Sequence, residues 1–174
     1  MASDVQSNIQ QAKKWLTIDV FPIWFEKGFD HRTDCFVETI STRIEPLFDV
    51  DRRTLVQARQ IYSITEAVKL GLFEKEKAIN LIKKNTDLLL KKFRLPSGAF
   101  VHSVDSRLNI SNHDIDLYTQ AFVLFGLAKA YEILRDEQLK EAAKSLLNYL
   151  KEERHLKNNG YSEIKGSKVF YQSN

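Results

Sequence analysis

Hydrophobic and polar residues alternate along most of this chain with the period of an α-helix. The pattern predicts five helices, over residues 6–26, about 52–70, about 74–93, about 116–134 and a stretch after 136. We expect Pro22 to kink the first helix or to separate its last turn, because proline lacks a backbone N–H. Asp51 is the expected N-cap of the second helix, and Gly71 lies just past its expected end.

The fourth and fifth predicted helices differ in how their apolar residues are distributed. The fourth is apolar most of the way round, which is typical of a helix that is buried on several sides. The fifth has leucine and alanine on one face and lysine and glutamate on the other. We therefore expect the fourth helix to be an inner helix and the fifth to be an outer one.

An internal repeat organises these helices. Three short segments align, and each has an aromatic residue in third place: DCFVE at 34–38, GAFVH at 98–102 and NGYSE at 159–163. Residues 56–67 also align with residues 119–130, so that Gln57 matches Gln120. Each unit combines a short hairpin, an apolar inner helix and an amphipathic outer helix. Such units bury their inner helices by stacking side by side, as in an α/α toroid or an α-solenoid.

The repeat also indicates how much of such a fold is present. The 174 residues hold two full inner–outer pairs and a leading helix, and no inner helix follows the third hairpin segment. A closed toroid needs about twice this length. We interpret residues 1–174 as a single domain that forms an incomplete α/α toroid.

Composition and charge argue against several classes of function. The net charge is only +3 and the basic residues are dispersed, which disfavours nucleic-acid binding. The single cysteine, Cys35, excludes an internal disulfide, and the four histidines lack the spacing of metal ligands, so no metal site is expected. Neither a signal peptide nor an apolar run long enough to span a membrane is recognisable. The expected location is the cytoplasm, with no membrane partner.

Three segments and three aromatic residues carry a family resemblance. The segments are WFEKGFD at 24–30, RRTLVQARQIYSITEA at 52–67 and DLYTQAFVLFGLAKAYE at 116–132, and the aromatic residues are Phe36, Phe100 and Tyr161. They resemble the N-acylglucosamine 2-epimerase family, which includes mannose-6-phosphate isomerase-like proteins, over about the first half of a member. The resemblance implies an all-α fold, the N-terminal half of an (α/α)6 barrel with short β-hairpin loops. It also implies 2-epimerisation or aldose–ketose isomerisation of a sugar or sugar phosphate, by proton transfer at C2 and without a cofactor.

Two departures from the family pattern affect the expected activity. Gln120 stands where many members have histidine, which leaves the substrate subclass open. The family's acid/base chemistry falls chiefly to two histidines of the later half, the first expected just after residues 171–174. The resemblance therefore implies that this chain is inactive without the missing half, supplied covalently or as a second chain. We expect its open edge to expose Phe122, Phe125 or Leu127 and to favour self-association.

Arg59 is the first candidate substrate-binding residue. It lies in an apolar helix, and a buried guanidinium needs a partner, so one interpretation is an ion pair with Glu38, Glu66 or Asp116. The family resemblance instead implies that Arg59 lines the sugar pocket. There its guanidinium would bind sugar hydroxyls or stabilise an enediolate as charge develops.

Asp116, Gln120 and His102 complete the candidate substrate-binding set, and no catalytic residue is assigned. Asp116 and Gln120 are four residues apart on one helix face, and the resemblance implies that they line the barrel mouth. The alternative is that Asp116 caps the helix and Gln120 bonds to backbone groups. His102 is the last residue of the second hairpin segment, two positions after Phe100, and is expected near the same mouth.

Two other classes of function stay open. A non-catalytic α-solenoid interaction domain would expose a large apolar patch on its inner helices. A glycoside hydrolase on the same toroid would need a spaced pair of carboxylates, and Asp116 has no evident partner for this. We expect Cys35 to be an inert thiol, since no nucleophile motif surrounds it.

Overall fold

A computed structural model describes residues 2–157 and 160–163 of the chain. All five predicted helices are present: α1 (Ala2–Trp15), α2 (Thr54–Lys69), α3 (Lys75–Leu88), α4 (Leu117–Leu134) and α5 (Glu137–Glu153). Two of them continue into π-helical segments, Leu16–Val20 and Pro22–Lys27 after α1 and Leu89–Phe93 after α3. Pro22 begins the second of these segments, where its missing N–H costs least. No helix in the described part of the chain is long and apolar enough to cross a membrane.

The second helix begins later than the sequence predicted. Arg52 and Arg53 form a strand, and α2 begins at Thr54 with Arg53 in the N-cap position. The predicted N-cap at Asp51 is therefore wrong, because the chain is still extended after that residue. Gly71 has a φ of +67° just beyond the end of α2, which confirms its predicted place after the helix.

Short antiparallel strands connect the helices at three places. They are β1 (Phe29–Asp30), β2 (Cys35–Phe36), β3 (Arg52–Arg53), β4 (Ser103–Val104), β5 (Ile110–Asn112), β6 (His155–Leu156) and β7 (Gly160–Tyr161). β1 pairs with β2, β4 lies between β3 and β5, and β6 pairs with β7. Strand pairing is thus confirmed for the first and third hairpin segments, although Asn159 of the third lies outside the described residues. In the second segment Phe100 forms an isolated bridge with Arg94, and the strand β4 follows it.

The helices form an inner and an outer layer, as the repeat predicted. α2 and α4 pack against each other in the inner layer, while α3 packs against both and α5 packs against α4. Gly126 of α4 lies so close to α2 that a Cβ added to it would be 3.0 Å from Ala58. The apolar face of α5 points into the core through buried residues such as Leu139 and Leu146. This arrangement is an all-α half-toroid.

The two repeat units also share a pair of hydrogen bonds between a glutamine side chain and the hairpin backbone. The amide of Gln57 donates to the backbone oxygen of Phe36 and accepts from its N–H, both at 2.9 Å. The amide of Gln120 binds Phe100 in the same way, at 2.8 and 2.9 Å. Each inner helix therefore fixes the hairpin before it through one buried glutamine. This positions the loops that follow the two aromatic residues at one end of the inner layer.

Candidate functional site

The hairpins and the N-termini of α2 and α4 meet at one end of the inner layer, which we call the mouth. There each loop places a charged or polar side chain against the N-cap residue of the next inner helix. Glu38 accepts hydrogen bonds from the N–H and Nε of Arg53, at 3.0 and 2.6 Å. In the next repeat, Nδ1 of His102 lies 3.1 Å from Oδ2 of Asp116. The two pairs occupy equivalent positions of the repeat. The carboxylate belongs to the loop in the Glu38–Arg53 pair and to the N-cap residue in the His102–Asp116 pair.

Asp116 caps α4 and orients His102. Its Oδ1 accepts a 2.6 Å hydrogen bond from the N–H of Thr119, so the predicted cap is present. Partial burial raises the pKa of Asp116, but the hydrogen bonds from Thr119 and His102 outweigh burial and lower it. A carboxylate can only accept, so Nδ1 of His102 is the donor in this pair. The imidazole is 31% exposed, which leaves Nε2 available at the mouth.

Arg59 lies on α2 with its side chain exposed. Its Cζ is 5.3 Å from the centroid of the Phe122 ring on α4, within the range of a cation–π contact. The ion-pair interpretation is wrong, because Glu38 binds Arg53, Glu66 binds Lys129 and Asp116 binds His102. Among residues 2–157 and 160–163, no carboxylate pairs with Arg59. The structure therefore leaves its planar donor group available to a ligand.

Gln120 is separated from the other three candidates. Its side chain is fully buried, and both amide atoms bind the backbone of Phe100. Gln120 lies one turn after Asp116, the N-cap residue of α4. Its side chain binds the backbone of the hairpin at Phe100, whereas Asp116 lies at the mouth. The structure thus brings His102 and Asp116 together, and it uses the Gln120 amide to hold a loop.

A cleft of about 480 Å³ opens beside the N-terminus of α4. It is lined by His113, Asp114, Ile115, Asp116, Tyr149, Arg154 and Glu163. The buried guanidinium of Arg154 donates to the backbone oxygens of Ile115 and Glu163 and so ties the third hairpin to α4. Asp116 belongs to this cleft, but Arg59 does not line it.

Sequence reasoning missed Arg154 and Glu163. The repeat held a signal for Glu163, because it occupies the same hairpin position as Glu38 and His102. No comparable signal marked Arg154, since its guanidinium donates only to backbone oxygens, those of Ile115 and Glu163.

Cys35, His31 and His155 take no part in the side-chain pairs at the mouth. Burial raises the pKa of the Cys35 thiol to about 12, which keeps it protonated, as expected of an inert thiol. His31 and His155 are exposed, with their rings against Phe29 and Tyr161. Within the described residues, no three His, Cys, Asp or Glu side chains are grouped so as to hold a metal ion.

Comparison with known proteins decides the family. The model of N-acylglucosamine 2-epimerase (GlcNAc 2-epimerase) matches residues 35–171. The chain belongs to the N-acylglucosamine 2-epimerase family.

Individual relatives agree with this assignment and are much longer. A mannose-6-phosphate isomerase of Rhizobium meliloti (strain 1021) is 31% identical over 136 residues, which is 77% of this chain and 34% of that protein. The cellobiose 2-epimerase of Bacillus thermoamylovorans B4167 superposes with a TM-score of 0.82 at 17% identity, over 91% of this chain and 40% of that one. The cellobiose 2-epimerase of Spirochaeta thermophila DSM 6192 gives 0.79 at 18%, over 92% and 40%. The chain thus spans between a third and two fifths of the length of these relatives.

Proposed function

We propose that this chain contributes part of the substrate-binding mouth of a sugar 2-epimerase or aldose–ketose isomerase that transfers a proton at C2. The observation that carries the proposal is the guanidinium of Arg59, which pairs with no carboxylate of the described residues. It lies on an inner helix whose neighbour carries the His102–Asp116 pair at its N-terminus. Arg59 binds sugar oxygens and stabilises negative charge that develops on them, because its donors are held in a planar fork. His102, oriented by Asp116, presents Nε2 to a sugar hydroxyl.

The substrate is a sugar or a sugar phosphate. Two named relatives support this class, since one is a mannose-6-phosphate isomerase and the other a cellobiose 2-epimerase. Gln120 takes no part in binding, because its amide is committed to Phe100. The choice between epimerisation and isomerisation depends on groups that the described residues do not provide.

We propose that the 174-residue polypeptide is inactive alone. Proton transfer at C2 needs two acid/base groups within hydrogen-bond reach of the reacting carbons. In the part of the chain that the structure describes, His102 is the only histidine held by a carboxylate at the mouth. The remaining helix pairs, covalently attached or on a second chain, supply the missing acid/base groups.

A second candidate function rests on the exposed apolar surface of α4, where Tyr118 is 56% and Phe125 41% exposed. An α-solenoid interaction domain would use such a surface to bind protein. The glycoside-hydrolase alternative has less support, because the carboxylates of Glu38 and Asp116 are bound to Arg53 and His102. We therefore keep the interaction domain as the alternative to the epimerase or isomerase.

A chimera tests the proposed function. In it, this chain replaces the matching segment of the Rhizobium meliloti mannose-6-phosphate isomerase. We expect the chimera to isomerise mannose 6-phosphate and to exchange the C2 proton in deuterated water, followed by NMR, while the isolated chain does neither. An interaction domain would give a folded chimera without exchange, which would contradict the proposal.

Arg59→Lys in the active chimera tests the assigned role of Arg59. Lysine keeps the charge but loses the planar fork. Turnover should fall by about 10²–10³-fold, the range for losing one preorganised donor, with little change in the unfolding temperature. Arg43→Lys, at an exposed position on a loop, is the matched control and should leave both quantities unchanged. Unchanged turnover in Arg59→Lys would remove Arg59 from the site.

A further inference from the structure

The third hairpin contacts the N-terminus of α4 in the way that the second hairpin contacts α2. The N–H of Thr54, the first residue of α2, donates to the backbone oxygen of His102 at 2.9 Å. The N–H of Leu117, the first residue of α4, donates to the backbone oxygen of Glu163 at 3.3 Å. His102 and Glu163 are the last residues of their hairpin segments. The mouth therefore repeats one contact, between an inner helix and the hairpin that follows it in the chain.

Side chains reinforce this contact differently in the two units. The Thr54 hydroxyl donates to the backbone oxygen of Val101, in the second hairpin segment. Leu117 occupies the equivalent place on α4 and has no side-chain donor. In that unit the guanidinium of Arg154 donates to the backbone oxygen of Glu163 at 3.0 Å. The donor thus belongs to the helix in one unit and to the base of the hairpin in the other.

Arg154 is also an exception among the residues at the bases of the hairpins. The N–H of Val101 donates to the backbone oxygen of Phe93 at 2.9 Å, and the N–H of Ser162 donates to that of Arg154 at 2.8 Å. Arg154 is therefore the equivalent of Phe93, and both side chains are buried. No carboxylate among residues 2–157 and 160–163 pairs with its guanidinium. Stability alone does not account for this arginine, since an apolar side chain of similar volume fills a buried site at least as well.

The second acceptor of the Arg154 guanidinium lies directly before Asp116. It is the backbone oxygen of Ile115. On the other side of Asp116, the N–H of Leu117 is bound to the backbone oxygen of Glu163. The main chain is thus held on both sides of Asp116, and Arg154 binds both the segment before it and the hairpin beside it.

The Asp116 carboxylate has two partners, and each uses one oxygen. Oδ1 accepts from the N–H of Thr119, and Oδ2 accepts from Nδ1 of His102. A carboxylate shared in this way needs a fixed main chain, because a rotation that favours one hydrogen bond misaligns the other. We propose that Arg154 is a positioning residue for His102. By holding the main chain in front of Asp116, it keeps the carboxylate directed at Nδ1, so that the neutral imidazole carries its proton there.

This tautomer decides what the imidazole can offer a ligand. With the proton on Nδ1 of His102, Nε2 is an acceptor and binds a hydroxyl group as the donor. In the other tautomer Nε2 would be a donor, and Nδ1 would turn a lone pair towards Asp116. The use of this acceptor for a sugar hydroxyl rests on the proposed function, whereas the effect of Arg154 on the imidazole does not. The isolated chain therefore tests the imidazole, and the chimera tests the sugar.

Arg154→Phe, which introduces the residue of the second unit, tests the proposal in the isolated chain. The readout is the pair of ¹⁵N chemical shifts of the His102 imidazole, assigned by comparison with His102→Gln. At about pH 9 the ring is neutral and these shifts report the tautomer. We expect the proton on Nδ1 in the wild type and a mixture of tautomers, as in a solvated imidazole, in Arg154→Phe. Circular dichroism confirms that the variant is folded.

A double variant separates positioning of Asp116 from attachment of the hairpin. Leu117→Thr introduces on α4 the hydroxyl that Thr54 provides on α2, so Arg154→Phe/Leu117→Thr links helix and hairpin again. The Ile115 oxygen still lacks its donor. Hydrogen exchange at the N–H of position 117 should become about 10-fold faster in Arg154→Phe, the effect of one hydrogen bond, and slow again in the double variant. The tautomer mixture should persist.

The chimera with the Rhizobium meliloti mannose-6-phosphate isomerase tests the consequence for a sugar. Arg154→Phe should lower kcat/KM for mannose 6-phosphate by up to about 10²-fold, the effect of a small misplacement. Unchanged kinetics together with a lost tautomer preference would support the effect of Arg154 on the imidazole. The same result would contradict the proposed binding of sugar by His102.

Two results would overturn the proposal. The first is the same tautomer population in the wild type and in Arg154→Phe, which would show that the Thr119 cap alone orients Asp116. The second is an Nδ1 tautomer restored by Leu117→Thr, which would limit Arg154 to attaching the hairpin. Arg154→Met, with an unbranched apolar chain, replaces Arg154→Phe if that variant does not fold. Lys151→Met, which removes an exposed cation of α5, is the control and should change neither readout.

Discussion

Asp30 and Arg52 form an ion pair that is almost completely removed from water, with exposed fractions of 2% and 1%. Their Nη2–Oδ2 distance is 2.8 Å, and the guanidinium of Arg32 adds two hydrogen bonds to the same carboxylate, at 2.9 and 3.0 Å. Nη1 of Arg52 also donates to Thr33 at 2.6 Å. These contacts join the first hairpin to the strand that leads into α2. They help to fix the position of the mouth without taking part in it.

Asp30→Asn should destabilise the chain by about 3–5 kcal/mol at neutral pH, because it leaves the Arg52 charge buried without a counter-charge. Burial raises the pKa of Asp30, but the hydrogen bonds from Arg32 and Arg52 outweigh it and hold the pKa well below its usual value. The stability that this pair contributes is therefore present above the unfolded-state pKa of about 4 and is lost as the pH falls further. Urea unfolding measured from pH 7 down to pH 2.5 should show a larger loss of stability in the wild type than in Asp30→Asn, since other carboxylates with lowered pKa values, such as Asp116, contribute in both.

The matched control for this prediction is Asp19→Asn, which changes an exposed carboxylate. It should stay within about 0.5 kcal/mol of the wild type at pH 7. A similarly small effect of Asp30→Asn would show that the buried pair contributes little to stability.

The same residues show what local sequence can and cannot predict. The apolar surroundings of Arg59 suggested that it was buried, whereas Arg59 is exposed and Arg52 is buried. Arg52 is buried because β3 pairs with β4, which places it opposite Val104, 52 residues further along the chain. Periodicity carries no information on such a distant pairing. The cap at Asp116 was predictable because its partner, the Thr119 N–H, is three residues away.

At the scale of helices, the repeat predicted which elements lie inside. α2 and α4 aligned in the sequence, and they pack against each other in the structure. Their closest approach is at Gly126, where an added Cβ would lie 3.0 Å from the backbone and Cβ of Ala58. The equivalent residue on α2, Ser63, lies at the half-buried edge. The repeat therefore predicted that the two helices pair. The need for glycine at position 126 follows from the close approach of α4 to Ala58, which the sequence does not show.

Gly126→Ala is expected to destabilise the chain despite the better helix propensity of alanine. Alanine gains about 1 kcal/mol over glycine within a helix, but the new methyl group would push α2 and α4 apart at a cost of about 1–3 kcal/mol. Chemical denaturation of Gly126→Ala and of Ser63→Ala, its equivalent on α2, separates the two effects. Ser63→Ala should be neutral or stabilising. The double variant Ala58→Gly/Gly126→Ala should recover part of the loss, and a stabilised Gly126→Ala would refute the close approach.

At the scale of the whole molecule, the described residues form part of an α/α barrel. Their core extends from the aromatic cluster of Phe21, Phe25 and Phe73 to the packing of α5 on α4. The first part of the N-terminal helical stretch is exposed, and side chains of its second part are buried. Val5–Ala12 are exposed, whereas Phe21 and Phe25 are buried in the core cluster. In a longer polypeptide, or in an assembly, the exposed arm is available to further helices.

Two changes in this helical stretch should therefore affect stability very differently, one slightly and one strongly. Removing residues 1–12 should move the unfolding temperature by no more than about 2 °C, because the exposed arm buries no side chain from Val5 to Ala12 and surface changes cost at most about 0.5 kcal/mol. Phe25→Ala should cost about 3–5 kcal/mol, since it removes a ring that stacks on Phe21 at 4.8 Å and meets Phe73 at 5.1 Å. Thermal unfolding at low protein concentration measures both in the unassociated chain. A large loss on removing the arm would mean that α1 packs against the half-toroid in solution.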